Sequence, residues 1–377
     1  MIRSLSTRAL VFGATLTLGV VAVGSAVHAA GGDDQGQHGP ATLPGRTIVS
    51  APPTGTSGPD DLTRLAVDGL DGDKALLWTG MQNHINPDGT PAVAGGPTQS
   101  DVVGFDPSTG APEDDIKVTG KVDGLTADPA HGRLIATVNE DLNSAFDTID
   151  PATNTVVTYT YAPDPGVTGN GGTDSITLQD GHIYVSHSNP NDTTQAAMYE
   201  VTLNDITHTA NLRAVFFDDS PATGAAGGTL ALLDPDTNYT MPWSSPRFAG
   251  QVATISQGDG VIVFAADAAH SPTLTELILS DNVAGNAPPL DGLAVATSDA
   301  GTLYVVDAKA QTIEALNTDG WPEGTVFVTE ASDNANPLLG VLNLRTGQIT
   351  PLGNAFQNPK SIVFVPNQNG QGEDQGS

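Results

Sequence analysis

The stretch LDGLAVATSDAGTLYVVDAKAQTIEALN (Leu290–Asn317) carries the pattern on which the fold is read. It opens with a short apolar run, LAVA, turns through SDAG and rises again as TLYVV. A polar DAKAQ loop then leads into a third run, TIEALN. Short β-branched or aromatic runs bounded by Gly, Asp and Ser read as strands joined by turns. Two further stretches repeat the pattern: VDGLTADPAHGRLIATVNEDLNSAFDTIDPATNTVVTYTY (Val122–Tyr161) and TDSITLQDGHIYVSHSNPNDTTQAAMYEVTL (Thr173–Leu203). The segments DPSTGAP (Asp106–Pro112), DPATNT (Asp150–Thr155) and RTGQ (Arg345–Gln348) have the turn chemistry of hairpins between outer strands. No sustained helical periodicity follows the first 30 residues. Repeated units of short strands predict an all-β fold, a single β-propeller. A β-sandwich does not explain the repeats, and a β-helix would show shorter, stricter periods.

A longer echo points the same way. GTLALLDPDTNYTMPWSSPR (Gly228–Arg247) resembles LLGVLNLRTGQITPLGNAFQNPK (Leu338–Lys360). Each reads as a hairpin with a Pro in its second strand (Pro242, Pro351), followed by a Pro-basic pair that opens the next strand (Pro246-Arg247, Pro359-Lys360). Inner strands then start near Asp60, Asp123, Asp174, Arg247, Asp291 and Lys360, which implies six blades. A count of seven stays open, because segments 205–247 and 320–345 have no clear assignment. The last run, SIVFVP (Ser361–Pro366), is expected to pair with N-terminal strands and close the ring.

Outside the repeats the chain reads differently. Residues 1–30 hold Arg3 and Arg8 and no acid, an apolar run from Ala9 to Val23, and small residues ending at Ala29-Ala30. That is the three-part pattern of a secretory signal peptide, so the mature protein is expected outside the cell. Residues 31–58 are Gly/Pro/Thr/Ser-rich and read as a disordered linker, 59–366 as the propeller and 367–377 as a disordered tail.

Composition removes several function classes. The 377 residues include 43 acids against 13 Lys and Arg, a net charge of −30. Without residues 1–30, 11 basic and 43 acidic residues leave −32. Such a field repels phosphate, so no nucleic-acid partner is expected. The absence of Cys excludes disulfide scaffolds, zinc–thiolate sites and thiol nucleophiles. No run after residue 30 is apolar enough to cross a bilayer, and a monomer without membrane insertion is expected.

The motif DGLAVATSDAGTLYVVDA (Asp291–Ala308) resembles the repeat of NHL and SMP-30/gluconolactonase-like propellers, with similar units at Asp123 and Asp174. The chain also resembles secreted propeller proteins of actinobacteria. Enzymes of the SMP-30 group hold a divalent cation on the propeller axis through a Glu, Asn residues and an Asp at inner-strand starts. The resemblance maps their Asp onto Asp291. Their Asn-Gly falls on Asp123-Gly124, and their early Glu falls near Asp60, where this chain has no Glu.

Inner-strand starts converge on one funnel in a propeller, so Asp60, Asp123, Asp174 and Asp291 are the candidate ligands of a Ca²⁺ or other divalent cation. Crowded carboxylates repel, and either a cation or a raised pKa relieves them. Asp before Gly at a strand start also has a plain reading as a turn cap. The loops after second strands supply His84, Glu140 and His187 as acid/base candidates, because imidazole and a desolvated carboxyl titrate near neutrality. Asn139, Asn189, Arg247, Asp267, Asp307 and Lys360 are the remaining candidate ligand-binding residues, and His270 lies in the same loop as Asp267. LDPDTN (Leu233–Asn238) has a D-x-D but lacks the later Gly and Glu of an EF-hand, so it reads as a turn. Trp78, Trp243 and Trp321 read as blade packing. No G-x-S-x-G supports a serine hydrolase, and no organic cofactor is expected.

Two functions remain. One is a secreted propeller that binds a small molecule, polymer or protein on one face, stabilised by Ca²⁺. The other is a cation-dependent hydrolase or lyase of the lactonase-like group.

Overall fold

The computed structural model describes residues 41–49, 51–66, 75–163, 171–190, 195–281, 288–331 and 337–367. The expected signal peptide and nearly all of the expected tail lie outside them. Among the described residues, every regular element apart from one 3₁₀ turn at Ala226–Gly228 is a strand.

Strand β1 (Gly45–Val49) comes first, inside the stretch read as linker, so the folded part begins before residue 59. Three four-stranded antiparallel meanders follow. The first is β2 (Pro59–Ala66), β3 (Ala75–Met81), β4 (Gln99–Phe105) and β5 (Pro112–Thr119). The second is β6 (Val122–Asp128), β7 (Arg133–Val138), β8 (Ala145–Asp150) and β9 (Thr155–Ala162). The third is β10 (Thr173–Gln179), β11 (His182–His187), β12 (Ala196–Asn204) and β13 (Thr209–Phe217). The second and third merge into one eight-stranded sheet, because β13 lies parallel to β9 with Ala210 opposite Tyr161. The next sheet has the short outer strand β14 (Ala222–Thr223) and the meander β15 (Pro235–Thr240), β16 (Val252–Ser256), β17 (Val261–Ala266) and β18 (Thr273–Ile278).

The last two sheets interleave. β19 (Leu290–Val295) is followed by the hairpin β20 (Gly301–Asp307) and β21 (Thr312–Asn317), but its hydrogen-bonded partner is β22 (Val326–Glu330). β22 continues into β23 (Leu338–Leu342) and β24 (Ile349–Pro351). The β20–β21 hairpin joins β25 (Pro359–Pro366) on one side and β1 on the other. The stretch Leu290–Asn317 therefore forms three strands, as read, but they belong to two sheets. The final strand bonds to β20, with the N-terminal β1 at the far edge of that sheet, rather than pairing directly with N-terminal strands.

The arrangement is propeller-like. β2 packs beside β6, β6 beside β10, β10 beside β15, β15 beside β19, β19 beside β25, and β25 again beside β2. Side chains tie neighbours together across these gaps. Asp61 accepts the Leu125 amide at 2.7 Å, and Asn238 donates to the Ser175 carbonyl at 2.9 Å. Thr237 donates to the Asp291 carbonyl at 3.0 Å.

Sequence explains which strands sit where. A middle strand lies between two neighbouring sheets, so both faces are dry and it reads as a continuous apolar run. β3 (ALLWTGM) and β17 (VIVFAA) are buried nearly throughout. Outer strands have one wet face and alternate, as in β5 (PEDDIKVT). Each pair of neighbouring sheets encloses its own apolar cluster, such as Trp78 and Val102 against Leu125 and Leu134. Another joins Ile255 and Phe264 to Leu293 and Val328, with Phe248 stacked on Phe264 at 3.7 Å. Each such large side chain contributes roughly 1.5–3 kcal/mol on burial. Of the three tryptophans, Trp78 and Trp321 pack inside, whereas Trp243 is 83% exposed and packs in no blade core.

Candidate functional site

The inner strands share a device that positions the site. In each, one extra residue interrupts the pairing with the second strand just after the strand begins. In β6 the register steps from Val122↔Val138 to Gly124↔Thr137, leaving Asp123 without an opposite number. In β15 it steps from Pro235↔Ser256 to Thr237↔Ile255 around Asp236, and in β19 from Leu290↔Glu330 to Gly292↔Thr329 around Asp291. The same surplus falls at Asp60-Asp61, Asp174-Ser175 and Lys360-Ser361. A bulge re-aims a side chain out of the pleat. Here the re-aimed residues are Asp60, Asp123, Asp174, Asp236, Asp291 and Lys360, and all six line one cavity of about 500 Å³.

Among the described residues, nine carboxylates and two lysines face this cavity, with no aromatic side chain and one apolar residue, Leu233. Below it, a second cavity of about 220 Å³ runs between the inner strands and is lined largely by Thr, Ser and apolar residues. The upper cavity is thus the mouth of an axial funnel.

Donors run round most of the rim. The Lys360 ammonium stands 2.8 Å from Asp291 and 3.7 Å from Asp60. The Lys121 ammonium stands 2.5 Å from Asp123 and 3.2 Å from Glu140. The Gln82 amide donates to Asp60 and reaches Asp123 at 3.4 Å. On the other side the Gln257 amide donates to Asp236 and to Asp291 at 3.0 Å. A chain of contacts therefore runs from Asp123 through Asp60, Lys360 and Asp291 to Asp236. It stops there. Asp174 lines the cavity, is 5% exposed, and receives no hydrogen bond or ion pair on its carboxylate from the described residues.

The electrostatics follow from burial. Desolvation pushes the Asp174 carboxyl well above its usual range, and Asp236, Glu140 and Asp123 push it further. Burial likewise raises Asp123 and Asp291, with Lys121 and Lys360 opposing the rise. Burial also raises Asp234, to about 6, with Glu140 adding to it. For both lysines burial works against the charge, but the facing carboxylates outweigh it and their pKa values rise.

The structure brings together Asp60, Asp123, Asp174, Asp291, Lys360, Glu140 and Asn189 in this cavity. The other candidates lie elsewhere. Arg247 sits in the β15–β16 connection, donates to the Leu344 carbonyl at 2.8 Å and covers the Phe248 ring at 4.3 Å. The strand start assigned to it belongs to Asp236, so the Gly228–Arg247 echo is not a hairpin, and LDPDTN opens an inner strand instead of making a turn. His84 is exposed and outside the lining. His187 is fully buried, with Nδ1 accepting the Asn189 amide at 3.0 Å. Asn139 accepts the Lys121 amide at 2.9 Å and so braces the lysine without reaching the cavity. Asp267 and His270 pair with each other in the β17–β18 hairpin, where β15 ends, away from the funnel mouth. Asp307 accepts the Ala310, Gln357 and Asn358 amides and holds the approach to β25.

Sequence reasoning missed Asp61, Asp234, Asp236, Lys121, Gln82 and Gln257. A signal for Asp236 was present: Pro59-Asp60, Pro235-Asp236 and Pro359-Lys360 all place Pro at the first residue of a strand, where its missing N–H costs least. The two glutamines follow the ends of β3 and β16, a position that no local pattern marks.

A shared Ca²⁺ would need several free oxygens converging on one point. Among the described residues no group of three or more His, Asp or Glu side chains is arranged to hold a metal ion. Oxygens of Asp60, Asp123, Asp236, Asp291 and Glu140 already face ammonium or amide hydrogens, an arrangement that does not favour an axial cation.

No protein-family model matches the chain, and no curated protein matches it in sequence. Among solved structures it is similar to a streptogramin B lyase, at 14% identity and TM-score 0.44 over 85% of this chain and 91% of that one. It is also similar to a virginiamycin B lyase from Staphylococcus aureus, at 12% identity and TM-score 0.45 over 85% of this chain and 77% of that one.

Proposed function

We propose that this chain is a secreted six-bladed propeller that binds a ligand in the acidic funnel mouth. The six inner strands, each adjacent to the next in a closed series, support the blade count, with the eight-stranded sheet read as two blades joined at their rims. One observation carries the binding reading: six bulges turn six charged residues into a single cavity of about 500 Å³. A fold that only needed solubility would leave those charges in water, since burying them costs free energy. The binding reading is preferred to catalysis because both candidate histidines lie outside the cavity, and Glu140 is held by Lys121.

A thermal-melting screen against Ca²⁺, Mg²⁺, sugars, lactones and amines tests this. A compound bound by the folded state alone raises the melting temperature by mass action. Asn189→Trp, which fills the mouth, should remove that rise. A panel without a single hit, or hits indifferent to Asn189→Trp, would overturn the reading.

A further inference from the structure

The funnel already shows which chemistry its carboxylates accept. Lys360 places a primary ammonium between Asp60 and Asp291, and Lys121 places one between Asp123 and Glu140. The remaining inner-strand pair, Asp174 and Asp236, meets no ammonium among the described residues. Asp236 takes the Gln257 amide, while the Asp174 carboxylate, on a residue 5% exposed, takes nothing. Asp234 adds a third acid on this side.

Resting on the binding reading above, we propose that the funnel binds an aliphatic diamine or polyamine, with one protonated amine seated against Asp174. The site then repeats with a ligand ammonium what the chain does twice with its own lysines. Three features select this class. Among the described residues a divalent ion finds no converging set of three His, Asp or Glu ligands. A quaternary ammonium group prefers aromatic walls, and none line the cavity among the described residues. A primary ammonium brings three N–H donors to the Asp174 oxygens, which take no donor from the described residues. The surplus of acids over lysines leaves partners for a second amine of the same molecule.

Calorimetric titration of the full chain with 1,4-diaminobutane and with spermidine tests this. Saturable binding is expected, weaker at high salt, with spermidine the tighter ligand. Asp174→Asn should weaken it at least tenfold, and Asp267→Asn, on the exposed β17–β18 hairpin, should leave it within twofold. If Asp174→Asn fails to fold, Asp236→Asn is expected to weaken binding in its place. Tetramethylammonium, which carries the charge without N–H donors, should not compete. No binding up to millimolar amine, equal binding by Asp174→Asn, competition by tetramethylammonium, or Ca²⁺ binding that depends on Asp174 and excludes amines would each overturn the proposal. In that case a different hit sensitive to Asn189→Trp would leave the binding reading standing.

Discussion

The two sides of the funnel mouth are built from the same parts and treated differently. On the Asp60–Asp291 side, carboxylates raised in free energy by burial meet lysines and glutamines of the chain. On the Asp174 side the same bulge aims the same residue type into the same cavity, and no donor follows. A buried carboxylate without a partner is costly, so a fold that supplies donors to four of the five bulge carboxylates is not limited by geometry at the fifth. The difference separates charges that hold the ring together from a charge left available.

The largest expected effect breaks the paired side. Lys360→Met strands Asp60 and Asp291, and losing one partner of a buried pair costs about 3–5 kcal/mol. Urea unfolding at pH 7.5 measures it, and a loss below about 1 kcal/mol would mean that solvent screens the pair. The next test compares the two sides directly. Asp291→Asn removes charged hydrogen bonds and is expected to cost about 1–3 kcal/mol. Asp174→Asn removes an unpartnered charge and is expected to leave stability unchanged or higher. Equal losses in the two variants would erase the distinction.

Acidity probes the same contrast more gently. Asp234 has a folded-state pKa of about 6, above the ordinary carboxylate value, so the folded state holds its proton longer than the unfolded chain does. Stability from this group is present at low pH and is lost as pH rises from about 4 through about 6. Asp147, 1% exposed in β8 and also raised to about 6, acts in the same direction. Glu200, lowered despite burial by His182 and Arg213, loses its contribution only under more acid conditions. The melting temperature should therefore be higher at pH 5.5 than at pH 7.5, and Asp234→Asn should flatten the difference. A melting temperature that rises with pH across this interval would contradict the assignment. The smallest effect falls on the belt between the pairs. Gln82→Leu removes the amide between Asp60 and Asp123 and should cost about 1 kcal/mol, read by the same urea midpoint.

Much of this architecture is legible in the chain, and the exceptions have physical reasons. The hairpins after Asp106, Asp150 and Asn343 were readable because the side chains cap their own turns; Asp106, for instance, accepts the Ser108 amide at 2.7 Å. Asp60, Asp123, Asp174, Asp291 and Lys360 were readable because a charged residue just inside an apolar strand is conspicuous. Asp236 was not, since D-x-D between Leu and Asn suits a turn as well as a strand start. Local turn chemistry looks alike at either end of a strand, which is why Asp267 and His270 were placed at the wrong rim. Strand partnership is non-local: nothing between Leu290 and Asn317 records that β19 pairs with β22. The place of β1 is equally hidden. Its clearest trace is Gly110, whose φ of +72° and approach to the Ile48 carbonyl leave no room for a side chain.

The interleaving of the last two sheets has a consequence in time. Thr47 of β1 finds its partner Glu314 only after 267 further residues have been added. β19 waits for β22 until the β20–β21 hairpin has been made, and that hairpin waits for β25 at the end of the folded part. During synthesis the earlier meanders can settle one after another, each from contiguous chain. The funnel wall that Lys360 completes cannot close until nearly the whole chain has left the ribosome. Before then Asp60 and Asp291 face each other without their cation, so the arrival of one late lysine both finishes the ring and relieves the repulsion between them.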